Sequence, residues 1–199
     1  MATFLLVVTE GLLEVPAAQK LLAVLGVDFG ETRFISKGGR DTFWQDASRY
    51  NQAAQHVGPV LGIADLEREP CPSGLISNYL PHGRHPLYVL RIAERMLESW
   101  LLADREGISA FLRVPTARVP VNPDQRPHPK QDLVNLARLS RKRDIVADLV
   151  PREGSEGVVG RGYTSQMTEF IRSTWRPVEA SANSDSLRRA VAAIQAVVA

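Results

Sequence analysis

The chain has 199 residues, 44% hydrophobic and 23% charged, with a formal net charge of +2 and one cysteine. That length and composition suit one domain, or one domain with a small appendage, able to bury its own core. The single cysteine, Cys71, excludes an internal disulfide and argues against a cysteine-built zinc site, and so small a net charge is no evidence of nucleic-acid binding by itself. No apolar run reaches the roughly 20 residues of a membrane span. Glu10 and Glu14 interrupt the N-terminal apolar run, which has no basic segment before it. These features predict a cytoplasmic protein with no membrane partner.

In chain order, Phe4 to Val8 has the length and β-branched content of a strand buried on both faces. It ends in Glu10-Gly11, and a helical segment from Pro16 to Leu25 follows, with Gly26 as its C-cap. Thr32 to Ser36 is a second strand. Asp41 is placed to cap a helix over 42–56. Val60 to Ala64 is a third strand and ends in Asp65-Leu66-Glu67. Ser73 opens a helix to Leu80, and Pro86 to Arg91 is the fourth strand.

Ile92 to Asp104 carries the strongest helical periodicity. Ile92, Ala93, Met96, Leu97, Trp100, Leu101 and Ala103 lie on one side, with Arg91, Glu94, Arg95, Glu98 and Ser99 on the other. Asp104 to Leu112 is a further short helix. Residues 115–129 hold five prolines and form a loop. Helices are expected over 130–139, 141–149, 165–174 and 184–198, with a glycine-rich loop from Gly154 to Gly162. Strand and helix alternate through residue 104, which predicts an α/β fold with a mainly parallel four-stranded sheet flanked by helices. Residues 1–112 form the core, and 113–199 form a helical extension packed on it as part of one globular unit.

Glu10, Glu14, Asp65 and Glu67 lie at two strand ends. A carboxylate at the C-terminal end of a buried parallel strand sits on the rim where open α/β sheets bind ligands. Parallel neighbours would bring all four together, where they repel. They coexist only with shifted pKa values or with cations, and hard oxygen ligands suit Mg²⁺ or Mn²⁺. Such ions promote phosphodiester cleavage. The competing reading is four solvated loop carboxylates, some paired with Arg40 or Arg68.

Glu10-Gly11-Leu12-Leu13-Glu14 after one strand and Asp65-Leu66-Glu67 after another resemble the TOPRIM fold of topoisomerases, primases and overcoming-lysogenization-defect nucleases. The second glutamate, Glu14, is closer to the nuclease version, and Glu67 stands where the family usually has aspartate. The whole chain also resembles a bacterial TOPRIM-like family of unknown function often encoded beside ATPase genes. That match rests on Glu98-Ser99-Trp100-Leu101-Leu102-Ala103-Asp104, His128-Pro129-Lys130, Val159-Gly160-Arg161-Gly162-Tyr163 and Ser184-Asp185-Ser186-Leu187-Arg188-Arg189. The resemblance implies a nuclease acting on nucleic acid, DNA rather than RNA, with an ATPase partner in genome defence or DNA repair. It implies Mg²⁺ or Mn²⁺ as cofactor, and Glu10, Asp65 and Lys130 as catalytic groups. Glu10, Glu14, Asp65, Glu67 and Glu98 would be metal ligands. The alternative is a non-catalytic module that binds nucleic acid or an ATPase partner.

The basic residues read two ways. Lys37-Gly38-Gly39-Arg40 is either a phosphate cradle or a plain turn. Arg138, Arg141, Lys142 and Arg143, and likewise Arg188 and Arg189, either track a nucleic-acid backbone or form a solvated face. In the terminal helix, Leu187, Val191, Ile194 and Val198 recur at the spacing of a buried stripe, which leaves Arg188 and Arg189 outside.

Overall fold

A computed structural model describes residues 4–28 and 30–196. Four strands, β1 (Phe4–Thr9), β2 (Glu31–Ser36), β3 (Val60–Asp65) and β4 (Tyr88–Ala93), form one sheet in the order β2-β1-β3-β4. Every pairing is parallel. β3 is buried along its whole length, as the apolar run Val60 to Ala64 requires of a strand covered on both faces. The mainly parallel four-stranded sheet read from the alternation is thus present, and all four strands are parallel.

Side-chain alternation divides the core in two. Leu5, Val7, Leu61, Ile63 and Val89 face one apolar cluster, while Val8, Val60, Ala64, Leu90 and Ile92 face another. The second cluster is covered by α2 (Arg40–Gln45), α3 (Ala47–His56) and α4 (Pro72–Tyr79), through Phe43, Trp44, Tyr50 and Leu75. The first is covered by α1 (Glu14–Val24) and by the C-terminal half: α5 (Glu98–Ala103), α6 (Arg105–Leu112), α7 (Pro129–Arg138), α8 (Arg143–Leu149), α9 (Tyr163–Ser173), α10 (Pro177–Ala180) and α11 (Asp185–Gln195). Leu133, Met167, Phe170, Trp175 and Leu187 belong to the same cluster as Leu5 and Val7. The helical half therefore has no core separate from the sheet's.

Several elements differ from their sequence reading. The helix expected over 92–104 is a strand end, a turn and a short helix. Ile92 and Ala93 complete the ladder to Ala64 and Asp65, the chain turns with Arg95 at φ 61°, and α5 resumes at Glu98. All six residues of α5 are buried, so it has no polar face; the 3.6-residue spacing came from a two-sided strand running into a helix buried all round. The expected helix 42–56 breaks at Asp46, whose carboxylate holds Lys37 Nζ at 2.6 Å. Gly39, not Asp41, precedes α2. Cys71, not Ser73, caps α4, its Sγ accepting from Gly74 N–H at 3.3 Å. In α11, Leu187, Val191 and Ile194 are buried as expected, and Val198 lies outside the described residues.

Asp104 ties the helical half to the sheet half. It is 2% exposed, caps α6 through Gly107 N–H at 2.9 Å, and accepts Arg176 N–H at 2.8 Å as well as the Arg176 guanidinium. Asp104→Ala removes a cap and leaves these donors unpaired, so a loss of about 2–4 kcal/mol is expected in urea unfolding. Asp104→Asn retains the acceptor oxygen and should lose less.

Candidate functional site

Beyond Thr9 the backbone of β1 makes one more ladder bond, from Glu10 N–H to Ile63 O at 3.0 Å. That bond fixes Glu10 beside the end of β3. The chain then bends through Gly11, Leu12 and Leu13 into α1, which opens at Glu14. Glu98 opens α5 in the same way. Both glutamates sit in a first turn, where unpaired N–H groups favour a carboxylate. Glu10, Glu14, Asp65, Glu67, Glu98 and Lys130 all line one cleft of about 430 Å³ at the C-terminal ends of β1 and β3. All five carboxylates read as ligands, and the lysine, therefore share one cavity wall.

The carboxylates are held largely by hydrogen bonds, many from backbone amides. Asp65 N–H donates to Glu10 Oε2 at 3.3 Å, and Leu97 N–H donates to Asp65 Oδ1 at 2.9 Å. Tyr163 Oη donates to Glu98 Oε1 at 2.9 Å, and Lys130 Nζ lies 3.4 Å from the same oxygen. Glu10, Glu14, Asp65 and Glu98 are each at most 7% exposed. Burial raises Glu10 to a pKa of about 7; the Asp65 amide opposes the shift, while Glu67 and Glu14 add to it. Burial, then Glu14, Glu98 and Glu10, push Asp65 well above the carboxylate range. Burial and Glu98 raise Glu14, and Lys130 opposes them.

Glu98 corrects the sequence reading most sharply. It was placed on the polar face of a surface helix beside Glu94, and it is instead 2% exposed and inside the cleft. Glu94 faces Arg189, 3.8 Å away, outside it. Two residues apart, Asp65 and Glu67 would point the same way if the chain stayed extended. Glu67 lies past the strand end at φ 52°, is exposed, and reaches Arg40 Nη1 at 3.6 Å. It stands at the cleft edge as part of an ion pair.

Most of the expected basic wall lies elsewhere. Lys37 is held by Asp46, and Arg40 by Glu67, by Glu69 at 3.0 Å and by the carbonyl of Asp65. Of that loop, Gly38 and Gly39 line the cleft, with Gly38 at φ +72°, where a side chain would be strained. Arg141, Lys142 and Arg143 follow the far end of α7, about 12 Å or more along its axis from Lys130. Lys142 stands over the Phe111 ring. Arg188 pairs with Asp185, and Arg189 with Asp185 and Glu94, on the helix that flanks β4.

Tyr163 is the site residue that residue chemistry did not single out. It opens α9 directly after the glycine-rich loop, yet nothing in the sequence links it to a glutamate 65 positions away. Gly160 and Gly162 place it, because a Cβ on either would collide with Asp148. Comparison with protein-family models, curated proteins and solved structures returns no match to this chain.

Among the described residues, no three His, Cys, Asp or Glu side chains are already gathered around one point as a metal ion would need. The donor chemistry nevertheless fits a hard divalent cation: four nearly buried carboxylates, three of them disfavouring their own charge, facing one cleft with a lysine.

Without divalent ions this arrangement makes stability depend on pH. Between pH 4.5 and about 7 the folded protein holds a proton on Glu10 that the unfolded chain has released. Stability therefore falls as pH rises through that window, by on the order of 3 kcal/mol from Glu10 alone. Glu14 and Asp65 act in the same direction. In chelator, Glu10→Gln should match wild type near pH 4 and exceed it at pH 8 in urea unfolding. Equal stabilities at pH 8 would show that Glu10 carries no such strain.

Proposed function

We propose that the cleft is a divalent-cation-dependent phosphodiesterase site acting on nucleic acid. The observation that carries the reading is the convergence of Glu10, Glu14, Asp65 and Glu98, nearly buried, with Lys130 in one open cleft. Glu10, Glu14, Asp65 and Glu98 would hold Mg²⁺ or Mn²⁺, with Glu67 at the margin. A cation bound there supplies Lewis-acid stabilisation of phosphoryl oxygens. Glu10 would either ligate the cation or accept a proton from water and return it to a leaving oxygen. Lys130 offers an ammonium to a phosphate oxygen, and Tyr163 fixes the carboxylate of Glu98. The resemblance to TOPRIM nucleases supports DNA as the nucleic acid and an ATPase as the partner.

A second reading, a non-catalytic module that binds nucleic acid or an ATPase, draws support from the lack, among the described residues, of three carboxylates already gathered around one point.

Asp65→Asn separates the two. The amide keeps size and the acceptor for Leu97 N–H, and it removes one charge from the cluster. The variant should be more stable than wild type in chelator, be stabilised less by Mn²⁺, and lose Mn²⁺-dependent cleavage of DNA assayed with and without an ATPase. Unchanged Mn²⁺ stabilisation together with no cleavage by wild type would overturn the catalytic reading. Lost Mn²⁺ stabilisation with no cleavage would leave the cation site and remove the reaction.

A further inference from the structure

The two edges of the sheet are finished differently. In β4, Leu87 O and Ala93 O accept from β3, so the alternating residues Tyr88, Leu90 and Ile92 turn their backbone groups outward. That edge is guarded. Arg84 donates to Tyr88 O, Arg91 Nε donates to Leu90 O at 2.7 Å, and α11 packs alongside. In β2, Lys37 N–H donates to Thr9 O, so Thr32, Phe34 and Ser36 turn outward. Among the described residues, their backbone groups have no hydrogen-bond partner on that side. Phe34 and Ile35 are only half-buried, and so are Leu25 and Val27, which pack with Phe34 against the first apolar cluster.

We propose that this edge pairs with the β2 edge of a second copy of the chain, antiparallel about a two-fold axis at Phe34. In that register every outward residue finds a partner: Thr32 faces Ser36, Phe34 faces Phe34, and each pair exchanges both backbone bonds. Glu31, exposed on β2, comes opposite Lys37 on both sides of the axis, and Arg33 opposite Ile35. Lys37 is already held by Asp46, so what the register shows is that no like charges meet across it and the edge is not blunted by repulsion against its own copy. Pairing of two identical edges about a two-fold axis is isologous and closes as a dimer, whereas pairing of unlike edges leaves a free edge and grows. The result is one eight-stranded sheet with two clefts opening at opposite ends. This inference does not depend on what the cleft does.

Light scattering on the intact chain should give twice the 22.0 kDa of one copy at high micromolar concentration. Thr32→Pro removes an outward N–H and spares the ladder to β1, so it should halve the mass while circular dichroism and the thermal midpoint of dilute protein stay unchanged. Arg84→Ala, at the other edge, should leave the mass doubled. A wild type that remains one copy in mass, or a dimer that survives Thr32→Pro, overturns the proposal. Should Thr32→Pro fail to fold, hydrogen exchange on wild type decides. Slowing of the Thr32, Phe34 and Ser36 amides with rising concentration supports the pairing, and exchange independent of concentration overturns it.

Discussion

Four nearly buried carboxylates crowd the end of two neighbouring strands, and the structure around them follows from the need to make that tolerable. An ionised carboxylate in a poorly hydrated site is costly unless hydrogen bonds or opposite charge compensate it. Here backbone amides supply much of the compensation. The amide of Asp65 serves Glu10, and that of Leu97 serves Asp65. The second bond explains the turn between β4 and α5. Arg95 takes an unusual left-handed conformation, its guanidinium bonded to the carbonyls of Glu67 and Glu69, and the turn it makes brings Leu97 N–H to Asp65. What remains uncompensated shows as raised proton affinity at Glu10, Glu14 and Asp65.

The helical half closes the same cavity. Lys130 and Tyr163, from the first turns of α7 and α9, converge on a single oxygen of Glu98. Their elements share an apolar cluster with β1 and β3, so the positions of these two side chains are fixed by the core itself. The cleft is assembled across the division between the sheet and the helical half, and neither part contains it alone.

Much of this was legible in the sequence. Long apolar runs at 4–8 and 60–64, each followed by acidic residues, locate β1, β3 and the rim of the sheet, because a two-sided parallel strand must be apolar and its C-terminal end must lead to the ligand side. Residues 92–104 misled for a physical reason. Helical periodicity identifies a helix with one wet face, and α5 has none, so its glutamate looked like a surface residue. Tyr163 and the Asp104–Arg176 pair depend on contacts between distant segments, which local pattern does not encode. The basic residues were visible, yet their partners Asp46, Glu69, Asp185 and Glu94 were not.

The distribution of those ion pairs constrains any polyanionic substrate. Most of the positive charge near the rim is already committed: Lys37 to Asp46, Arg40 to Glu67 and Glu69. Among the described residues, Lys130 is the one basic side chain in a cleft wall that carries five carboxylates. Protons go some way to quiet such a wall, since burial raises the proton affinity of Asp65 and Glu14 and leaves Glu10 half-protonated at about pH 7. A phosphodiester approaching it meets at best a nearly neutral surface and one ammonium, which gives little attraction. A divalent cation displaces those protons and gives a phosphate oxygen a localised positive centre to bind. On the proposed reading, cation binding therefore precedes substrate binding.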